Sequence, residues 1–201
     1  MNFLSHAWLA HTDDPSPRFV LGAMLPDFAS MCGARLHGSD DAAVHRGLAH
    51  HQAVDERFHV APEFTALCRQ VSVSLRDAGV GRGPAMAVAH VGVEILIDAT
   101  LLGDVDSAYL AAISTEPALT WSDDGAAWRS LRGRLRDHGV PSLYRDDERV
   151  AELMMRILDS RPRLRLEAEH APAVAECLAA IRPQVEAAAP ILLRAALPAR
   201  T

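Results

Sequence analysis

Lysine is missing from this chain, and all 20 of its basic residues are arginine. That excludes a P-loop, a lysine Schiff base and a lysine general base. Cysteine is scarce as well. Cys32, Cys68 and Cys177 are odd in number, far apart and never in a CxxC pair, so neither a disulfide framework nor a cysteine zinc site is expected, and a reducing cytoplasm fits best. Aromatic residues make up only 5% of the chain, β-branched residues are sparse, and strict period-2 alternation is absent. Those shortages argue for an all-α protein. No run of about 18 uninterrupted apolar residues exists, so no membrane span is expected. The opening Met1-Asn-Phe-Leu-Ser-His6 lacks the basic n-region and long apolar core of a signal peptide. The net charge of −6 argues against general nucleic-acid binding through the phosphate backbone.

The chain does contain enough apolar material for a core. At 201 residues and 49% apolar composition it is expected to form one domain over residues 1–201, with no internal repeat and no low-complexity tract beyond a richness in alanine. Apolar periodicity and terminator residues predict about eight helices. The first covers residues 2–11. A second opens at Ser16-Pro17 and should stop at Pro26. Gly33 to Gly38 reads as a loop, Ser39-Asp-Asp41 opens a central helix to about His59, and a further helix spans Glu63 to Ala78 before a glycine-rich connection. A long apolar helix follows from Pro84 to Leu102, with Gly103 as its C-cap. Helical patterns then cover about 105–115, 123–137, 146–159 and 172–196, the last interrupted by Pro183 and Pro190.

The chemistry gathers in the first half. Eight of the ten histidines lie at or before residue 90, together with Asp27, Asp55, Glu94 and Asp98. His51 and Asp55 are four apart, so on a helix both side chains stand on one face, about 5–6 Å between β-carbons, where an imidazole and a carboxylate can share a metal ion. His90 and Glu94 repeat that spacing inside an apolar run, where a charged side chain is not expected without a partner. Two such pairs argue for a metal site built between helices. Imidazole and carboxylate together suggest manganese, zinc or iron, and the lack of a thiolate points to a catalytic site. One to three ions so held would clamp a phosphate ester and lower the pKa of a water. The spacings put His51, Asp55, His90 and Glu94 in the expected shell, with His50, His59 or Asp98 as outer-shell orienter or proton donor. His11 and His37 read as solvated.

The motifs resemble the acyl carrier protein phosphodiesterase family. Met1-Asn-Phe-Leu-Ser-His6 with Leu9-Ala10, Leu21-Gly22-Ala-Met-Leu25-Pro-Asp27-Phe28 and Gly47-Leu-Ala-His-His51-Gln-Ala-Val-Asp55 follow its pattern in order. Tyr144-Arg-Asp146 and Ser160-Arg-Pro-Arg-Leu164 look like its C-terminal landmarks. The resemblance implies an all-helical, HD-like phosphohydrolase architecture and a divalent ion such as manganese. It implies release of 4′-phosphopantetheine from the serine of holo acyl carrier protein, with His6, Asp27, His51 and Asp55 as candidate ligands. The order of histidines and acids is also similar to the zinc-dependent phospholipase C and P1-type nuclease group, in which His6, Asp27, His51, Asp55, His59, His90 and Glu94 would hold up to three zinc ions.

A competing expectation is a non-enzymatic helical relative that binds a carrier protein or small ligand. Its support is Gln52, which stands where the family has a basic residue. Arg129, Arg132, Arg134 and Arg136 on one predicted helix, and Arg156, Arg161, Arg163 and Arg165 further on, offer basic faces to an acidic carrier protein. The alternative is a solvated surface in a protein that has only arginine for positive charge.

Overall fold

The computed structural model describes residues 1–197, so the last four residues of the expected domain lie outside the described residues. The described chain is all-α, with nine α-helices, two short 3-10 turns and one two-stranded ribbon. Its contacts gather into two compact units. The first unit comprises Met1–Arg57, Leu101–Pro141 and residues 196–197; the second comprises Phe58–Thr100 and Ser142–Ala195.

In the first unit, α1 (Phe3–Asp13) buries Phe3, Leu4, Ala7, Leu9 and Ala10, and carries Ser5 and His6 into the interior with them. Asp14 ends it in an extended conformation, as a residue before proline favours. Helix α2 (Pro17–Cys32) has proline at its first position, where a missing N–H costs nothing, and closes on Gly33 with φ 67°. It runs straight through Pro26, which sequence alone would have made its end. The residue four before Pro26 is Gly22. The buried stripe Phe19–Leu25 and Phe28 continues on both sides of the proline, and packing of that stripe outweighs one lost hydrogen bond.

Helix α3 (Ala42–Phe58) belongs to this unit up to Arg57. Asp41 caps it, with Oδ1 accepting from the Ala43 and Val44 amides at 2.9 and 3.2 Å. Two glycines set how closely α2 and α3 approach. A methyl group on Gly47 would collide with the Phe19 carbonyl oxygen and lie 2.8 Å from the Ala23 nitrogen. One on Gly22 would collide with the Val44 carbonyl oxygen. The remaining helices of the unit, α6 (Asp106–Ser114) and α7 (Ala126–His138), pack on α2. Rings of Phe3, Phe28 and Tyr109 meet there, and Trp128 stacks between Phe28 and Trp121 at centroid distances of 5.6 and 5.7 Å.

The stretch expected as a loop over residues 33–38 instead contributes β1 (Leu36–Ser39), which pairs antiparallel with β2 (Leu119–Trp121). The register shifts at Gly38, whose φ of 153° a side chain would resist. Ser39 and Ser122 tie the ribbon's ends to the Ala118 carbonyl and the Arg35 amide.

The second unit holds α4 (Pro62–Asp77), α5 (Arg82–Thr100), α8 (Asp147–Asp159) and α9 (Ala171–Ala196, in this unit to Ala195). Helix α4 buries Phe64, Leu67, Val71 and Leu75, a stripe at helical spacing, and packs on α5. Helix α9 continues through Pro183 and Pro190, where an interruption was expected. Val174, Leu178, Ile181, Val185 and Ala189 recur every three or four residues and are all buried, so one apolar seam spans both sides of Pro183. Arg182 anchors this helix, donating to Asp147 and to the Tyr144 carbonyl at 3.0 Å. No helix among the described residues is long and apolar enough to cross a membrane.

Candidate metal centre

The six ligands expected from sequence fall into two groups, one in each unit. In the first unit His6, Asp27 and His51 each place one donor atom within 4.8 Å of the others. Asp55 joins them, with Oδ1 3.2 Å from His6 Nε2 and Oδ2 3.5 Å from His51 Nε2. Asp27 Oδ2 is 3.9 Å from His6 Nε2. The four side chains come from α1, α2 and α3. The glycine contact at Gly22 and Gly47 allows His51 to reach the α2 backbone: its Nδ1–H donates to the Ala23 carbonyl at 2.8 Å. That bond puts the proton on Nδ1 and turns the Nε2 lone pair toward the carboxylates, the usual outer-shell arrangement of a metal-binding histidine.

Electrostatics put His6 and Asp55 in ligand form. Burial pushes the His6 pKa down to about 3 against the pull of Asp55, and the neighbouring His51 and the Met1 ammonium lower it further, so the ring is neutral. For Asp55, burial alone would raise the pKa. Hydrogen bonding with His6 and the Met1 ammonium, 3.0 Å from Oδ1, overcomes that and holds the carboxyl well below the usual range. The neutral His6 imidazole, stacked on the His51 ring at 3.8 Å and beside the ionised Asp55 carboxylate, is in the protonation state metal binding requires. His6 is fully buried, while the Asp27 and Asp55 side chains keep 21% and 29% of their surface, so solvent reaches the site from the carboxylate side.

In the second unit His59, His90 and Glu94 form another such group. Glu94 Oε1 lies 3.1 Å from His59 Nε2 and 3.0 Å from His90 Nε2. Burial would raise the Glu94 pKa, yet hydrogen bonds from His59 and His90 hold it well below the usual carboxylate range. His59, expected from the sequence as an outer-shell orienter or proton donor, faces the same Glu94 oxygen as His90 with its Nε2.

The other expected residues stand elsewhere. His50 is buried edge-on against Phe19, with neither ring nitrogen hydrogen-bonded, and burial lowers its pKa despite the attraction of Asp13. Asp98 is fully buried on α5. His11 and His37 are exposed, as their polar surroundings implied. On α7, Arg132 is committed to the Ile113 and Ser114 carbonyls and to Glu116, and Arg129 to the Asp124 carbonyl, which leaves less of the basic face for a partner. Further on, Arg165 pairs with Asp159.

Residues 1–80 match the family model described as acyl carrier protein phosphodiesterase. The matched stretch holds His6, Asp27, His51, Asp55 and His59; His90, Glu94 and Asp98 lie beyond it. No curated protein and no solved structure matches the chain.

Proposed function

Starting from the acyl carrier protein phosphodiesterase match over residues 1–80, we propose that the chain is a metal-dependent phosphodiesterase. Its catalytic cation is held by His6, Asp27, His51 and Asp55, and its substrate is the ester between 4′-phosphopantetheine and the serine of holo acyl carrier protein. The observation that carries this reading is the His51 bond to the Ala23 carbonyl, which commits Nε2 to the role of acceptor beside three other donors. Two imidazoles and two carboxylates without a thiolate fit manganese, zinc or iron.

A divalent ion bound there supplies Lewis-acid polarisation of a phosphoryl oxygen and lowers the pKa of a water toward neutrality. The chain's own residues prepare that chemistry. Burial keeps His6 neutral, the Ala23 carbonyl fixes the His51 ring, and Asp55 stays ionised despite its partial burial. Asp27 and Asp55 line the solvent-open side, where the phosphodiester enters. Hydrolysis then forms one P–O bond to the water oxygen and breaks the P–O bond to the serine, whose oxygen takes up a proton. The architecture is read as HD-like, the compartment as a reducing cytoplasm and the chain as one domain, all three as parts of the same proposal.

Mass analysis of holo acyl carrier protein after incubation with the manganese-loaded chain tests it. Loss of the 4′-phosphopantetheine mass is the expected result. An unchanged carrier, with no turnover of a generic phosphodiester either, overturns the reading.

A further inference from the structure

We propose that His59, His90 and Glu94 form a second divalent-metal site within the second unit, with zinc as the ion that fits and water completing the shell. It needs no residue of the first unit and does not rest on the phosphodiesterase reading.

Glu94 lies on an apolar helix beside the buried Val93, Ile95, Leu96 and Ile97, and its own side chain is only 9% exposed. A carboxylate placed there requires compensation, and the fold supplies two imidazoles aimed at one oxygen. Donors bound tetrahedrally at about 2.0–2.1 Å stand about 3.3 Å apart. The observed separations of 3.0 and 3.1 Å are already close to that spacing. Replacing the two Nε2 protons with one cation therefore leaves Glu94 nearly in place against each ring, and the two imidazole donors lie within 4.8 Å of each other.

The rings are held for this geometry. His59 and His90 stack at 5.0 Å with 17° between planes, and Phe64 stands edge-on to both at 5.6 and 5.3 Å. Phe58 supports Phe64 at 4.5 Å and meets His59 edge-on. The His90 side chain is 49% exposed, so one side of the group opens to solvent. The nearby Cys68 thiol points to the Ala89 carbonyl at 3.6 Å, which leaves water as the fourth ligand. Two histidines, one glutamate and an open position make up a set typical of catalytic zinc.

Zinc counting on the chelator-stripped full chain, by competition with a chromophoric chelator, tests the proposal. His90→Gln, at a half-exposed position, is expected to lose one equivalent relative to the native chain. A variant carrying His6→Ala and Asp27→Asn is expected to keep that equivalent, and adding His90→Gln to it removes the ion and the zinc-dependent rise in Tm. The native chain gives a second reading that needs no variant: zinc protects His59 and His90 from diethyl pyrocarbonate, read by peptide mass. Full zinc stoichiometry in His90→Gln, or equal modification of both histidines with and without zinc, overturns the proposal. Neither result bears on turnover of phosphodiesters, so its failure is distinct from failure of the proposed activity.

Discussion

The His51 Nδ1 stands 2.8 Å from the Ala23 carbonyl oxygen, one helical turn before Asp27 on the same helix. This single bond couples the backbone of α2 to the ring that α3 presents. It fixes the tautomer, and it sets the height at which His51 and Asp27 face each other.

Replacing His51 with alanine should therefore remove the metal and leave the fold. Loss of an outer-shell partner alone costs about 10–100-fold in metal affinity, so loss of a ligand should exceed about 100-fold. Manganese titration together with a thermal melt checks it. A collapse of Tm with metal binding intact in the surviving folded fraction would assign His51 a structural role.

The α2–α3 approach makes a prediction of opposite sign at two glycines. Gly133 on α7 is exposed, and a methyl group added there would meet nothing within 4 Å, so Gly133→Ala should stabilise the chain by about 0.5–1 kcal/mol through helix propensity. Gly47→Ala meets the Phe19 carbonyl and the Ala23 nitrogen instead, and should cost about 1–3 kcal/mol. Denaturant unfolding of both variants measures the difference, and a stabilised Gly47→Ala would contradict the packing described.

Asp41 links the start of α3 to pH. Its folded pKa lies below the ordinary value, first through the Val44 amide; burial opposes this, and Arg18 and the Ala43 amide add to the lowering and outweigh it. A depressed carboxyl pKa stabilises above the unfolded value, and that stabilisation is lost as pH falls through the folded value. Asp41→Ala should cost about 1 kcal/mol near neutral pH. The gap between native and variant should stay level down to about pH 4 and close below it. Urea unfolding across that range checks it; a gap that persists in acid would mean that the cap charge contributes nothing.

Most of the helical order was legible because apolar spacing and proline punctuation agreed, as at Pro17 and Pro62. Pro26, Pro183 and Pro190 misled for one reason: a buried seam continuing on both sides of a proline outweighs the bond it removes, and that seam's partners are invisible in one sequence. The ribbon of Leu36–Ser39 with Leu119–Trp121 was hidden because its strands are four and three residues long and far apart in the chain. Within the candidate site, the four-residue spacings announced His51 with Asp55 and His90 with Glu94. His59 had a weaker signal, falling four after Asp55, and its facing of Glu94 depends on tertiary placement. Gly22 and Gly47 gave no sign that they set the helix approach on which His51 depends.

Anomalous scattering from manganese-soaked crystals shows whether His6, Asp27, His51 and Asp55 share one cation. A shared site gives a peak about 2.0–2.2 Å from His6 Nε2, His51 Nε2 and a carboxylate oxygen of each aspartate. Density for bound manganese elsewhere in the chain, with nothing among these four side chains, would contradict it.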